Sequence, residues 1–158
     1  MSAQKVFVTY NVLGSVDELP PADAELMRAA LEATQLSYAP YSHFRVGAAA
    51  RMKSGAIIKG SNQENASYPV GICAERTLLS VASTLYPGEP IETMAVTAAG
   101  SRDVVSPCGI CRQSLLEFQG RTGHPLRLLM GGEEGPVWVV EDARTLLPLA
   151  FTTDNLLP

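Results

Sequence analysis

The sequence predicts an α/β fold in which a mixed sheet is covered by helices. Two patterns carry this. Segments with apolar residues at helical spacing alternate with short apolar runs of strand length, most clearly in the later part of the chain. The composition is globular: 46% of the 158 residues are hydrophobic and 18% are charged. Against a prior of ~150 residues per domain, that length corresponds to one domain. A chain of this size buries about two-thirds of its unfolded surface and needs no disulfide merely to fold.

The elements follow in order. Residues 1–19 show little helical periodicity and end at Pro20-Pro21, so residues 1–21 are read as an extension and 22–158 as the domain. Residues 22–37 place Leu26, Ala29, Ala30 and Ala33 at helical spacing, with Asp23 and Glu25 near the start, where a helix dipole favours negative charge. Tyr38-Ala39-Pro40-Tyr41 breaks that helix. Phe44–Met52 and Ala56–Gly60 read as two strands joined by the turn Lys53-Ser54-Gly55. Residues 61–72 form a polar loop. Residues 73–86 form a helix through Leu78, Leu79, Ala82 and Leu85, stopped before Pro87-Gly88. Residues 91–98 follow as a strand, 100–107 as a loop, and 109–119 as a helix ending at Gly120. Residues 126–130 and 137–140 are two more strands, and a short helix falls near 142–147.

Charge and cysteine usage narrow the function. Twelve basic and sixteen acidic residues give a net charge of −4, and Lys5, Lys53 and Lys59 are the only lysines. Without a basic run, a phosphate-gripping role is disfavoured. No apolar stretch approaches the ~20 residues needed to cross a bilayer, and the N-terminal segment does not read as a signal peptide. Three cysteines are too few, and odd in number, for a secreted disulfide scaffold, which points to reduced thiols in a cytoplasm.

Cys108 and Cys111 form Cys-Gly-Ile-Cys at the start of a predicted helix. Positions three apart lie ~60° apart on a helical wheel, so both sulfurs face one side. Taken alone, the motif leaves a redox dithiol and a metal pair equally open. Cys73 opens the other predicted helix, and Glu75 follows two residues later. These two differ by ~200° around the wheel, so they share a site only if the helix aims its N-terminal end at it. Grouped at two helix starts, the four residues favour metal, because a redox pair explains neither Cys73 nor Glu75. Three thiolates leave the fourth position of a tetrahedral zinc open, as in catalytic sites, and leave Glu75 free to move protons. Arg76 lies on the same helix face as Cys73, and its donors could drain charge from the thiolates. His43 and His124 are read as packing or surface residues, and Trp138 as core or subunit contact.

Cys73-Ala74-Glu75 followed, 31 residues on, by Pro107-Cys108-Gly109-Ile110-Cys111 fits the zinc-deaminase signature with Cys in place of His. With Tyr38–Phe44, Val46–Ala49, Asn62–Ala66, Tyr68-Pro69, Arg76-Thr77, Arg112-Gln113 and Leu146–Pro148, the chain resembles the small homotetrameric cytidine deaminases over about residues 22–157. The resemblance implies a three-layer α/β/α fold with a five-stranded mixed sheet and helices on both faces. It implies one zinc per chain on Cys73, Cys108 and Cys111, and hydrolytic deamination of cytidine and 2′-deoxycytidine in pyrimidine salvage. Activated water would attack C4 while Glu75 shuttles protons to N3 and the leaving amine. Asn62 and Glu64 would hold the ribose hydroxyl, and Phe44 would pack against the nucleoside. The Ala74 N–H and the Ser106 carbonyl would read the pyrimidine edge. Phe151 would reach a neighbouring subunit's site. Ile110 fills a place often held by a smaller residue, which leaves the packing behind the metal open. The rival readings are a deaminase of a nucleoside-like antibiotic such as blasticidin S, a polynucleotide-editing deaminase, and a non-catalytic zinc or dithiol module. The Asn62/Glu64 pair argues against the first, the charge against the second and Glu75 against the third.

Overall fold

The computed structural model describes residues 1–156. Its strands are β1 (Asn11–Leu13), β2 (Val46–Met52), β3 (Ile57–Ser61), β4 (Ile91–Ala98), β5 (Arg127–Gly131) and β6 (Val137–Val140). Its α-helices are α1 (Pro21–Ala33), α2 (Ala74–Leu85) and α3 (Gly109–Thr122). The strands form one sheet in the order β1-β6-β5-β4-β2-β3, with β4 and β5 parallel and every other neighbouring pair antiparallel.

The sheet therefore has six strands, one more than expected. The additional strand is Asn11–Leu13, paired with Val137–Val139. Three residues are too short to show an alternation, so the strand is held by its surroundings. Leu13 and Val16 pack against the core beneath α1, and Leu19 is buried there. Tyr10 stacks on Trp138 with ring centroids 4.8 Å apart, which places Trp138 against the N-terminal segment and the core.

The architecture is three-layered. Leu26, Met27 and Ala30 of α1 pack on Ala49, Ala95 and Leu129 on one face of the sheet. Leu78, Ala82, Leu115 and Phe118 of α2 and α3 pack on Ala48, Met94, Val96 and Leu128 on the other. The inner strand β2, between β4 and the edge strand β3, carries Gly47-Ala48-Ala49-Ala50, small residues that let helices approach from both sides. A Cβ at Gly47 would collide with the Ala30 carbonyl oxygen. A strand buried on both faces reads as a continuous apolar run.

Helix ends differ from the sequence expectation where a local signal was outweighed. α1 begins with Pro21 at its first turn and tightens after Ala33 into a single 3-10 turn, Thr34–Leu36. α3 runs through Gly120 to Thr122 and stops at Gly123, which takes the left-handed conformation (φ 65°) that ends helices. The short helix near 142–147 is a 3-10 turn, Ala143–Leu146, capped by the Asp142 side chain. Among the described residues no helix is long and apolar enough to cross a membrane.

Candidate active site

The topology places the first turns of α2 and α3 side by side on one face of the sheet. Cys73 is the residue capping α2, and Cys108 the residue capping α3. Cys111 lies one turn into α3 and is fully buried. Gly60 of β3 permits this placement: a Cβ there would lie 2.6 Å from the Ala74 carbonyl oxygen and 2.7 Å from the Leu78 nitrogen. The bare backbone lets the first turn of α2 sit directly on the sheet.

The three sulfurs lie within 4.8 Å of one another, with Cys73 and Cys108 at 3.9 Å. Zinc–sulfur bonds of ~2.3 Å at tetrahedral angles require sulfurs about 3.8 Å apart, so the cluster fits zinc. Thiolate donors and two helix N-termini suit a divalent metal and its charge-rich ligands. Hydrogen bonding from the Cys111 thiol, against the cost of burial, holds the Cys73 thiol down at about 6. Donation to Cys73, with burial and the nearby Glu75, pushes Cys111 well above the usual thiol range.

Glu75 is 4% exposed, in the first turn of α2. Burial pushes its carboxyl above the usual carboxylate range, against hydrogen bonds from its own N–H and the Cys111 thiol and the charge of Arg76. A carboxyl poised this way beside a metal site is suited to carry a proton in both directions. Arg76 acts on the cluster through its charge, which lowers Cys73; among the described residues no hydrogen bond joins it to the sulfurs.

Beside Cys73 opens a cleft of about 440 Å³ whose walls include Tyr41, Ser42, Asn62, Glu64, Tyr68 and Ile72. A larger open groove of about 640 Å³ runs between α2 and α3 past Arg76, but Cys73 borders the smaller cleft and not the groove. Glu64 accepts hydrogen bonds from the Ser42 hydroxyl and from the Tyr41 and Ser42 N–H groups, which lower its carboxyl. Asn62 donates to the Phe44 carbonyl at 2.9 Å and accepts from the Val46 N–H at 2.8 Å. Both side chains hold the loop of residues 38–45, where His43 adopts a left-handed φ of 58°. Phe44, Ser106 and Phe151 are exposed and lie outside the walls of this cleft. Ala74, at the helix start, is buried.

Neither histidine joins the thiol cluster. Ile110 is 63% exposed, so it does not fill space behind the sulfurs. Tyr41 and Tyr68 escaped role assignment in the sequence although both stand in its motifs. They form one end of the cleft, with ring centroids 6.1 Å apart. Their places in the Tyr38–Phe44 and Tyr68-Pro69 motifs were the available signal.

An α/β/α domain with three thiol donors at two helix N-termini and a buried carboxyl beside them has the arrangement that the zinc-deaminase signature implies. Residues 20–122 match the family model of the cytidine and deoxycytidylate deaminase zinc-binding region. The chain is 37% identical over 131 residues to the cytidine deaminase of Halalkalibacterium halodurans, covering 83% of this chain and 95% of that protein. It is 36% identical over 142 residues to the cytidine deaminase of Mycobacterium tuberculosis, covering 87% and 96%. The crystal structure of cytidine deaminase from Burkholderia pseudomallei superposes with a TM-score of 0.72 at 41% identity, covering 80% of this chain and 97% of that one. The chain belongs to the cytidine and deoxycytidylate deaminase zinc-binding family.

Proposed function

We propose that this chain hydrolyses cytidine and 2′-deoxycytidine to uridine and 2′-deoxyuridine with release of ammonia. The observation that carries the reading is the buried Glu75 beside three sulfurs that all lie within 4.8 Å of one another. Cys73, Cys108 and Cys111 would hold zinc, which would supply the Lewis acidity that makes a water easier to deprotonate. Glu75 takes one proton from the attacking water and delivers it to N3 of the pyrimidine as the water oxygen bonds to C4. It then carries the second proton from that oxygen to the exocyclic amine, so that the C4–N bond breaks, ammonia leaves and the C4 carbonyl forms. The raised affinity of Glu75 for protons supports this role.

The Ala74 N–H and the Ser106 carbonyl orient the pyrimidine edge. Asn62 and Glu64 hold a ribose hydroxyl, a placement that the cleft they share with Cys73 supports, and Phe44 packs against the nucleoside from outside its walls. Arg76 offsets the charge of the thiolates. Residues 22–158 form the catalytic unit, of which 157–158 lie outside the described residues. The unit works as a homotetramer in a reducing cytoplasm, with Phe151 of one subunit serving a neighbour's site. The exposed Phe151 ring and the free thiols support this part of the reading.

The test is ammonia release from cytidine by purified, metal-analysed protein. Turnover with about one zinc per chain is expected. Zinc without turnover redirects the search to modified pyrimidine nucleosides. Folded, reduced protein with neither zinc nor turnover overturns the reading in favour of a dithiol module.

A further inference from the structure

Arg112 follows the last zinc ligand, and the mechanism assigns it nothing. We infer that Arg112 is a positioning residue whose guanidinium shapes the segment presenting Ser106 and Cys108 and ties it to the C-terminal part of the chain. The inference rests on the proposed reading only for the role of Ser106; its effect on Cys108 follows from the zinc cluster alone.

The geometry is specific. Arg112 Nε donates to the Pro107 carbonyl at 2.8 Å, one Nη to the Ser106 Oγ at 3.0 Å, and the other to the Leu146 carbonyl at 3.1 Å. The first two acceptors belong to the residues immediately before Cys108. The third lies at the end of the 3-10 turn Ala143–Leu146. Val105 packs on the core and Pro107 is buried, but the segment from Val105 to Cys108 has few backbone hydrogen bonds of its own. It belongs to no helix or strand, and its bond to the sheet, from the Val105 N–H to the Gly131 carbonyl, is long at 3.4 Å. Pro107 has no N–H to contribute. The acceptors are two carbonyls and a hydroxyl, so the contact orients backbone instead of neutralising a carboxylate.

A planar guanidinium meets acceptors from separate donors held in one fixed fork. A lysine ammonium, a single point on a flexible stem, cannot span the same set. The next residue extends the arrangement: Gln113 Nε2 donates to the Phe151 carbonyl at 3.0 Å. Two adjacent residues of α3 therefore hold the segment before Cys108 and the C-terminal segment bearing Phe151. Displacement of such a segment by about 1 Å is enough to cost up to a hundredfold in rate.

The test compares Arg112→Lys with the unaltered full chain, loaded with zinc for kinetics and with cobalt for spectroscopy. The cobalt d–d and thiolate charge-transfer bands report the disposition of Cys108 whatever the substrate. The expected result is retained metal stoichiometry, shifted cobalt bands and a fall of about ten- to a hundredfold in kcat/KM for cytidine, carried mainly by KM. A purely structural role would lower the melting temperature and leave KM and the bands in place. Arg112→Lys with unaltered bands and KM overturns the inference. If Arg112→Lys does not fold, Ser106→Ala removes one acceptor only: shifted cobalt bands support the inference and unshifted bands overturn it. If the unaltered chain binds metal but does not turn over cytidine, the proposed substrate fails, and the cobalt bands of Arg112→Lys alone decide the role of Arg112.

Discussion

Glu75 is defined by two constraints acting on one side chain. The helix start places it beside the thiols, and burial to 4% exposure raises its affinity for protons. Gln occupies the same volume and keeps the packing, but cannot carry a proton. Glu75→Gln is therefore expected to keep its zinc and its unfolding midpoint while kcat falls by at least about a hundredfold; parallel metal analysis and turnover check this, and near-normal kcat would remove Glu75 from the mechanism. Glu64 makes a different prediction. The Ser42 hydroxyl and the Tyr41 N–H stabilise its carboxylate, so its folded pKa lies below the ordinary value. The anchoring it gives the loop of residues 38–45 is fully present above that ordinary value and is lost only as pH falls through the lowered one. The unaltered enzyme is expected to show a rise in KM as pH falls through the lowered Glu64 value, and Glu64→Ala to raise KM already at neutral pH and to remove that part of the pH dependence, as KM measured across pH would show. The thiols and Glu75 were legible in the sequence because their spacing relative to helix starts is a local property. Arg112 was not, because its role depends on loop carbonyls that only the fold brings within reach.

At the level of elements, the position of α2 depends on Gly60. A methyl group there must displace the backbone of Ala74 and Leu78, and with it Cys73 and Glu75. Gly60→Ala is expected to lose about 1–3 kcal/mol of stability in urea unfolding, the usual cost of overpacking, and to bind zinc less tightly. Gly109 is the informative contrast. It stands between two zinc ligands in the sequence, yet nothing lies within 4 Å of where its Cβ would be. Gly109→Ala is expected to keep its zinc and to unfold at or above the unaltered midpoint, since alanine favours a helix. A sequence motif ranks Gly109 above Gly60; the packing reverses that order. The same contrast explains which elements were legible. Helices α1, α2 and α3 announce themselves through apolar periodicity over several turns. Strand β1 does not, since its three residues are held by pairing to β6 and by the burial of Leu19. The end of α3 was misplaced by three residues because two glycines, Gly120 and Gly123, offer a stop, and only the second takes a left-handed φ.

At the scale of the whole molecule, zinc joins two helices that the sheet has already brought together. Cys73 and Cys108 are 35 positions apart in sequence, yet their sulfurs lie 3.9 Å apart. Neither hydrophobic layer of the sheet includes Cys73, Cys108 or Cys111, although Cys111 is itself buried and Ala74, next to Cys73, packs in the layer under α2. The core therefore needs no metal to form, unlike a small zinc finger, which is unfolded without it. Chelation is expected to leave the far-ultraviolet dichroism at 25 °C essentially unchanged while lowering the melting temperature. For zinc at about a thousand times its Kd, the lost linkage is ~4 kcal/mol, or about 8–16 °C in a domain of this size. Acid should act in the same direction. Zinc binding displaces the Cys111 proton throughout this range, and below about 6 protons compete for Cys73 as well, so zinc affinity should fall as pH drops and fall more steeply there. Calorimetry of zinc-loaded and chelated protein at pH 7.5 and pH 5.5 tests both expectations, with the gap in melting temperature wide at the higher pH and narrow at the lower. Loss of the dichroism on chelation at 25 °C would show instead that α2 and α3 depend on the metal to pack. The fold would then be a consequence of the zinc site, and the core would not be self-sufficient beside a metal-loaded active centre.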